Sequence, residues 1–101
     1  MTLHWTENAI WSYHEECDFI LKKWNKQEVR DFVDLVDENL KRLIRNPDIG
    51  KPYKIIGVHV LVISKQTSLA YTINKERNQL DLIFFWNNLQ NPSDFKKHLK
   101  P

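Results

Sequence analysis

A chain of 101 residues, 42% apolar and 12% aromatic, has enough apolar side chains for one core and is too short for two, so residues 1–101 are expected to form a single domain. Its lone cysteine, Cys17, excludes an internal disulfide. No run approaches the ~20 apolar residues of a membrane span, and Met1 to Glu7 lacks the basic and apolar stretches of a signal peptide, which together point to a cytoplasmic protein. The net charge of +2 is divided unevenly: residues 1–45 carry seven basic and nine acidic side chains, residues 46–101 eight and four, so a polyanion would meet the second half.

Residues 2–6 alternate, with Leu3 and Trp5 on one face and Thr2, His4 and Thr6 on the other, the pattern of a short strand. Thr6 is placed to cap a helix, with Glu7 near its positive end. Residues 8–24 repeat apolar positions at helical spacing, Ile10, Tyr13, Cys17, Ile20 and Trp24, with Leu21 beside them; this predicts an amphipathic helix with that stripe in the core. Trp11 falls off the stripe. Asn25 and Glu28 stand in capping-box positions before a second helix. Val29, Phe32, Val33, Val36, Leu40, Leu43 and Ile44 share its apolar face, and its acidic residues come early and its basic residues late, as the helix dipole favours. The very short connection predicts an antiparallel helical hairpin.

Asn46 to Pro52 is turn chemistry. Three strand-like runs follow. Residues 54–64 place Ile56, Val58, Val60 and Val62 against His59, Leu61 and Ile63, with Gly57 as a candidate bulge. Residues 68–74 place Leu69, Tyr71 and Ile73 against Ser68, Ala70, Thr72 and Asn74. Residues 79–86 place Leu80, Leu82, Phe84 and Trp86 against Asp81, Ile83 and Phe85. Short connections make the three a meander. Asn91-Pro92-Ser93-Asp94 is a start for a short C-terminal helix or tail clipped down by Phe95 and Leu99, with Lys96, Lys97, His98 and Lys100 making it basic. The fold class is therefore α+β. The N-terminal strand joins an antiparallel sheet completed by the C-terminal meander, and the helical hairpin covers one face.

Trp5-Thr6-Glu7-Asn8-Ala9, the turn Asn46-Pro47-Asp48-Ile49-Gly50, the hairpin at residues 63–73 and the exit from Phe85 to Pro92, taken in this order, resemble the RelE/ParE superfamily. These are toxins of bacterial type II toxin–antitoxin modules, some associated with plasmid stabilisation. The resemblance spans nearly the whole chain and implies a cognate antitoxin as partner, with the toxin as a homodimer or in a toxin–antitoxin hetero-oligomer. It implies no cofactor and no metal. A ParE-like member inhibits DNA gyrase by binding; a RelE-like member cuts messenger RNA on the ribosome; a third kind keeps antitoxin binding without toxicity. The chain departs from the family pattern at two positions. Thr72 stands where the hairpin often has arginine, and Leu89 where the exit often has one; neither replaces a permanently charged, bidentate phosphate contact. The ParE-like branch is therefore favoured.

Cutting RNA requires a base, an acid and cations for the phosphate. The candidates are His59, Lys54 and Lys65, with Lys51, Tyr71 and His98 as lesser ones; exposed strand residue is the plainer expectation for His59, and core packing for Tyr71. Trp11, Lys96, Lys97 and His98 are the candidate partner contacts. His14, Cys17 and Asp18 share one turn of the first helix but fall short of the usual four zinc ligands, and Cys17 fits the apolar stripe. Trp5, Trp24 and Trp86 are expected in the core.

Overall fold

The structure, a computed structural model, describes residues 1–55 and 57–89. Ile56 and the proposed C-terminal helix, with Phe95, Lys96, Lys97, His98, Leu99 and Lys100, lie outside the described residues.

Strand β1 (Thr2–Trp5) leads into helix α1 (Glu7–Lys23). Thr6 makes the junction. Its hydroxyl oxygen accepts the Ala9 N–H at 3.1 Å and its O–H donates to the Leu82 carbonyl at 2.7 Å, so one side chain caps the helix and ties it to the sheet. Helix α2 (Lys26–Arg45) starts at Asn25, whose side-chain oxygen accepts the Glu28 N–H at 2.9 Å. The helices form the expected hairpin.

The remaining strands are β2 (Lys51–Pro52), β3 (Val58–Val62), β4 (Thr67–Asn74) and β5 (Gln79–Asn87), arranged β1-β5-β4-β3-β2. β1 runs parallel to β5 and the other pairings are antiparallel, so the sheet is mixed rather than purely antiparallel. The expected strand at 54–64 is shorter than its pattern. Lys54, Ile55 and Gly57 lie outside the strand, and Gly57 has φ +87, a backbone state that suits glycine. β2, inside the turn region, adds a two-residue edge.

The core has two parts. Between helices and sheet lie Ala9, Ile20, Phe32, Val36, Leu40 and Leu43 against Leu61, Leu69, Tyr71, Leu80, Leu82 and Phe85. On the opposite face of the sheet, Val58, Ala70, Phe84 and Trp86 form a second cluster. The alternation read along residues 79–86 breaks at one residue. Tyr71 pairs with Leu82 but Ala70 pairs with Phe84, which leaves Ile83 as the extra residue of a β-bulge. Leu80, Leu82 and Phe85 consequently face the helices, whereas Phe84 and Trp86 face away, a correction to the single stripe expected from hydropathy.

The buried line of α1 is also displaced from its apolar stripe. Ala9, Glu16 and Ile20 are buried, whereas Ile10, Leu21 and Trp24 are exposed. Ser12 and Glu16 explain the rotation. The Ser12 hydroxyl accepts the Phe85 N–H at 2.8 Å. Glu16 accepts from the Thr67 hydroxyl at 2.6 Å and from the Asn87 amide at 3.0 Å. These bonds satisfy polar groups of β4 and β5 that burial would otherwise strand, so a polar line of the helix takes the inward position. Trp24 lies at the surface, where Lys23 stands 4.8 Å from its ring centre.

Candidate functional site

His59 and Tyr71 are paired across β3 and β4, on the face that meets the helices, and their rings stack with centres 5.4 Å apart. His59 is half-buried rather than exposed, and its Nδ1 is buried without a hydrogen-bond partner. Tyr71 is fully buried. Its O–H donates to the Pro47 carbonyl at 2.7 Å and its oxygen accepts the Gly50 N–H at 3.0 Å. This pins the proline–glycine turn after α2 onto β4. Burial pushes the Tyr71 phenol up, the Gly50 N–H opposes that shift, and Asp48 adds to it. Tyr71 therefore has a structural role in holding this turn.

The other nuclease candidates are spread over the sheet. Lys51 is on β2, Lys54 is in the turn before β3, and Lys65 is in the connection after it. β3 advances about 3.3 Å per residue, so its ends stand ~13 Å apart, with Lys54 beyond one end and Lys65 beyond the other. Thr72 pairs with Val58 and Asp81 on the sheet face opposite His59. Leu89, at the exit from β5, is exposed. Lys54, Lys65 and His59 thus do not converge on one point. Among the described residues no group of three His, Cys, Asp or Glu side chains is arranged to hold a metal ion.

Two grooves open along α1. On the flank toward α2 lies a shallow groove of about 280 Å³ lined by Cys17, Asp18, Leu21, Lys26, Val29 and Arg30; of the apolar residues of the two helices, Ile10, Leu21 and Val33 are exposed. Burial raises the Cys17 thiol; a hydrogen bond with Tyr13 opposes this, and Asp18 and Glu16 reinforce it. On the other flank, Trp11 is 59% exposed. It lies in a groove of about 250 Å³ between α1 and Phe84 to Asn87 of β5, the part of β5 that runs past its pairing with β1 and so forms the outer edge of the sheet there. Hydropathy singled out Trp11 but gave no sign of Glu16 on the groove floor, because a lone glutamate in a helix ordinarily reads as solvated surface.

No family model matches the chain, and no curated protein matches it. Solved structures do. A structure of the chromosomal ParDE TA system from P. aeruginosa aligns at 19% identity over 86% of this chain and 95% of that chain, with a TM-score of 0.72. A YoeB/ParE toxin from Agrobacterium tumefaciens aligns at 17% identity over 87% and 99%, with a TM-score of 0.64. The intact E. coli RelBE toxin–antitoxin complex aligns at 15% identity over 85% and 94%, with a TM-score of 0.59. The chain thus has the fold shared by the RelE/ParE toxins. No helix among the described residues is long and apolar enough to cross a membrane.

Proposed function

We propose that this chain is the toxin of a type II toxin–antitoxin module, neutralised by a cognate antitoxin, and that it acts by binding DNA gyrase rather than by cutting RNA. The toxin reading is supported by the shared fold with ParDE and RelBE structures, which covers nearly all of their toxin-like chains. The observation that carries the choice of mechanism is the scatter of the nuclease candidates. His59 lies flat on Tyr71, half-buried on the helix-facing side of the sheet, Lys54 and Lys65 flank opposite ends of β3, and Thr72 supplies no cation on the other face. Acid–base cleavage requires base, acid and cation within hydrogen-bond reach of one phosphate. A binding toxin requires only a surface. The antitoxin docks on the apolar seam between the helices, where Ile10, Leu21 and Val33 are exposed, in the helix-in-groove manner.

The test is induction of the chain in growing cells, alone and with the product of the adjoining gene. The proposal expects growth arrest with DNA breaks, no new transcript ends, and relief by the adjoining product. Codon-linked transcript ends would establish the ribosome-dependent ribonuclease instead. Unimpaired growth, with binding to the adjoining product intact, would identify a non-toxic relative.

A further inference from the structure

Glu16 is buried among groups that do not neutralise it. Its residue exposure is 5%, and its hydrogen-bond donors are the neutral Thr67 hydroxyl and Asn87 amide. A carboxylate offers about four acceptor positions, so two donors leave half of them open. Among the described residues no lysine, arginine or histidine pairs with it. Buried carboxylates ordinarily have a cation or several charge-assisted bonds. Glu16 has neither, yet it lines an open groove.

The walls of that groove suit a cation. Trp11, Glu15 and Phe19, four residues apart along α1, line its helix side, with Glu15 exposed, and Phe84, Phe85 and Trp86 of β5 line it as well. An aromatic face attracts a guanidinium or ammonium group, Trp most strongly and Arg more often than Lys. One ring of the groove already carries such a cation, since the chain's own Lys23 lies 5.6 Å from the Phe19 ring centre. Trp11 has no such cation among the described residues.

We infer that the groove between α1 and the outer edge of β5 is a receptor for one arginine side chain of a partner polypeptide. The guanidinium stacks on Trp11 and forms charge-assisted bonds to Glu16, with Glu15 as a second counter-charge. This rests on the proposed antitoxin binding only for the source of the arginine, and the site lies on the flank of α1 away from the apolar seam. Charge complementarity selects the occupant: an acidic floor beside aromatic side chains disfavours both an anion and a purely aliphatic side chain, which would leave Glu16 without a cation.

The test uses the full-length, nitrogen-15-labelled chain titrated with acetyl-Ala-Arg-Ala-amide and with the same peptide carrying neutral citrulline. The reporters are the Trp11 indole N–H and the Asn87 side-chain amide. The arginine peptide is expected to shift both signals saturably, and the citrulline peptide to bind about tenfold or more weakly, the usual value of a charged hydrogen bond. Trp11→Ala, at an exposed position, keeps the fold and weakens binding about two- to fivefold. Glu16→Gln weakens it about tenfold, and Glu15→Gln, also exposed, weakens it less. Equal shifts from the two peptides, or shifts confined to the α1–α2 seam, overturn the inference. Failure here is separable from failure of the toxin reading. Growth arrest relieved by the adjoining gene product, with no response to the arginine peptide, keeps the toxin and removes the receptor; a harmless chain that still binds arginine does the reverse.

Discussion

At the scale of single residues, Tyr71 is the side chain most of the turn after α2 depends on. Tyr71→Phe keeps the ring but strands the Gly50 N–H and the Pro47 carbonyl, and is expected to cost about 1–3 kcal/mol in urea unfolding. Gly50→Ala acts on the same contact from the other side. A Cβ there would stand 2.5 Å from the Tyr71 hydroxyl oxygen, so the bond must break or the turn must move, and a loss of similar size follows. The sequence announced this turn through Pro47 and Gly50 and placed Tyr71 in the core, but nothing in it linked the two, because the bond joins positions far apart in the chain. Alkaline pH tests the same group. Burial raises the Tyr71 phenol above its ordinary value of about 10, with Tyr13 raised in the same direction by burial and by Cys17. A folded-state value above the unfolded one means that stability is fully present below about pH 10 and is lost as pH rises through the folded value. The thermal midpoint is expected to hold from pH 7 to 9 and to fall above 10, with a smaller fall in Tyr71→Phe. Cys17 follows from the same physics: its raised thiol should react with a maleimide at neutral pH more slowly than an exposed model thiol, because the thiolate is the nucleophile.

At the scale of elements, the periodicities revealed both helices and every strand but the two-residue β2, which lay within the segment read as a turn, and they did not always reveal the face an element buries. Period 3.6 located α1 and α2, and period 2 located the meander. Both failures came from features that hydropathy does not encode. In α1, Ser12 and Glu16 turn inward because they satisfy polar groups of the sheet, and Ile10 rotates out to 45% exposure. In β5, the bulge at Ile83 exchanges the faces of everything that follows. Phe85 measures the difference. The alternation places it opposite the Leu80/Leu82 stripe, whereas the structure packs it against Trp5, with ring centres 5.6 Å apart, and against Tyr13. Phe85→Ala is therefore expected to cost about 3–5 kcal/mol, as for a buried aromatic. A change within about 0.5 kcal/mol, the usual range for a surface site, would restore the unbroken alternation. Thr6→Ala removes a helix cap and a tie to β5 at once, so a loss near the upper end of the ~0.5–2 kcal/mol range for caps is expected. The edge at β2 is short and carries Lys51 and Pro52, residues that discourage pairing with another sheet.

At the scale of the molecule, the division of labour lies between two sides of one helix and two faces of one sheet. The fold could be read from element order because that order reflects covering a sheet with a hairpin. The candidate site could be read only in part. Trp11 was visible as a residue that fits no stripe, whereas the Glu16 floor and the separation of His59 from Thr72 depend on strand register and on bonds across the chain. The apolar seam of the hairpin is the most direct test of antitoxin docking, because its residues add little to the core. Leu21 and Val33 are 45% and 39% exposed, so Leu21→Asp and Val33→Asp should leave the unfolding midpoint nearly unchanged. Either charge, once buried beneath an antitoxin helix, would lie unpaired in an apolar contact. Binding to the adjoining gene product should therefore weaken at least tenfold by calorimetry, equivalent to about 1.4 kcal/mol. Relief of growth arrest should be lost in parallel while the arrest itself persists, because the proposal assigns the seam to the antitoxin and not to the target. Variants that bind the antitoxin at full strength would move its docking to the sheet edge.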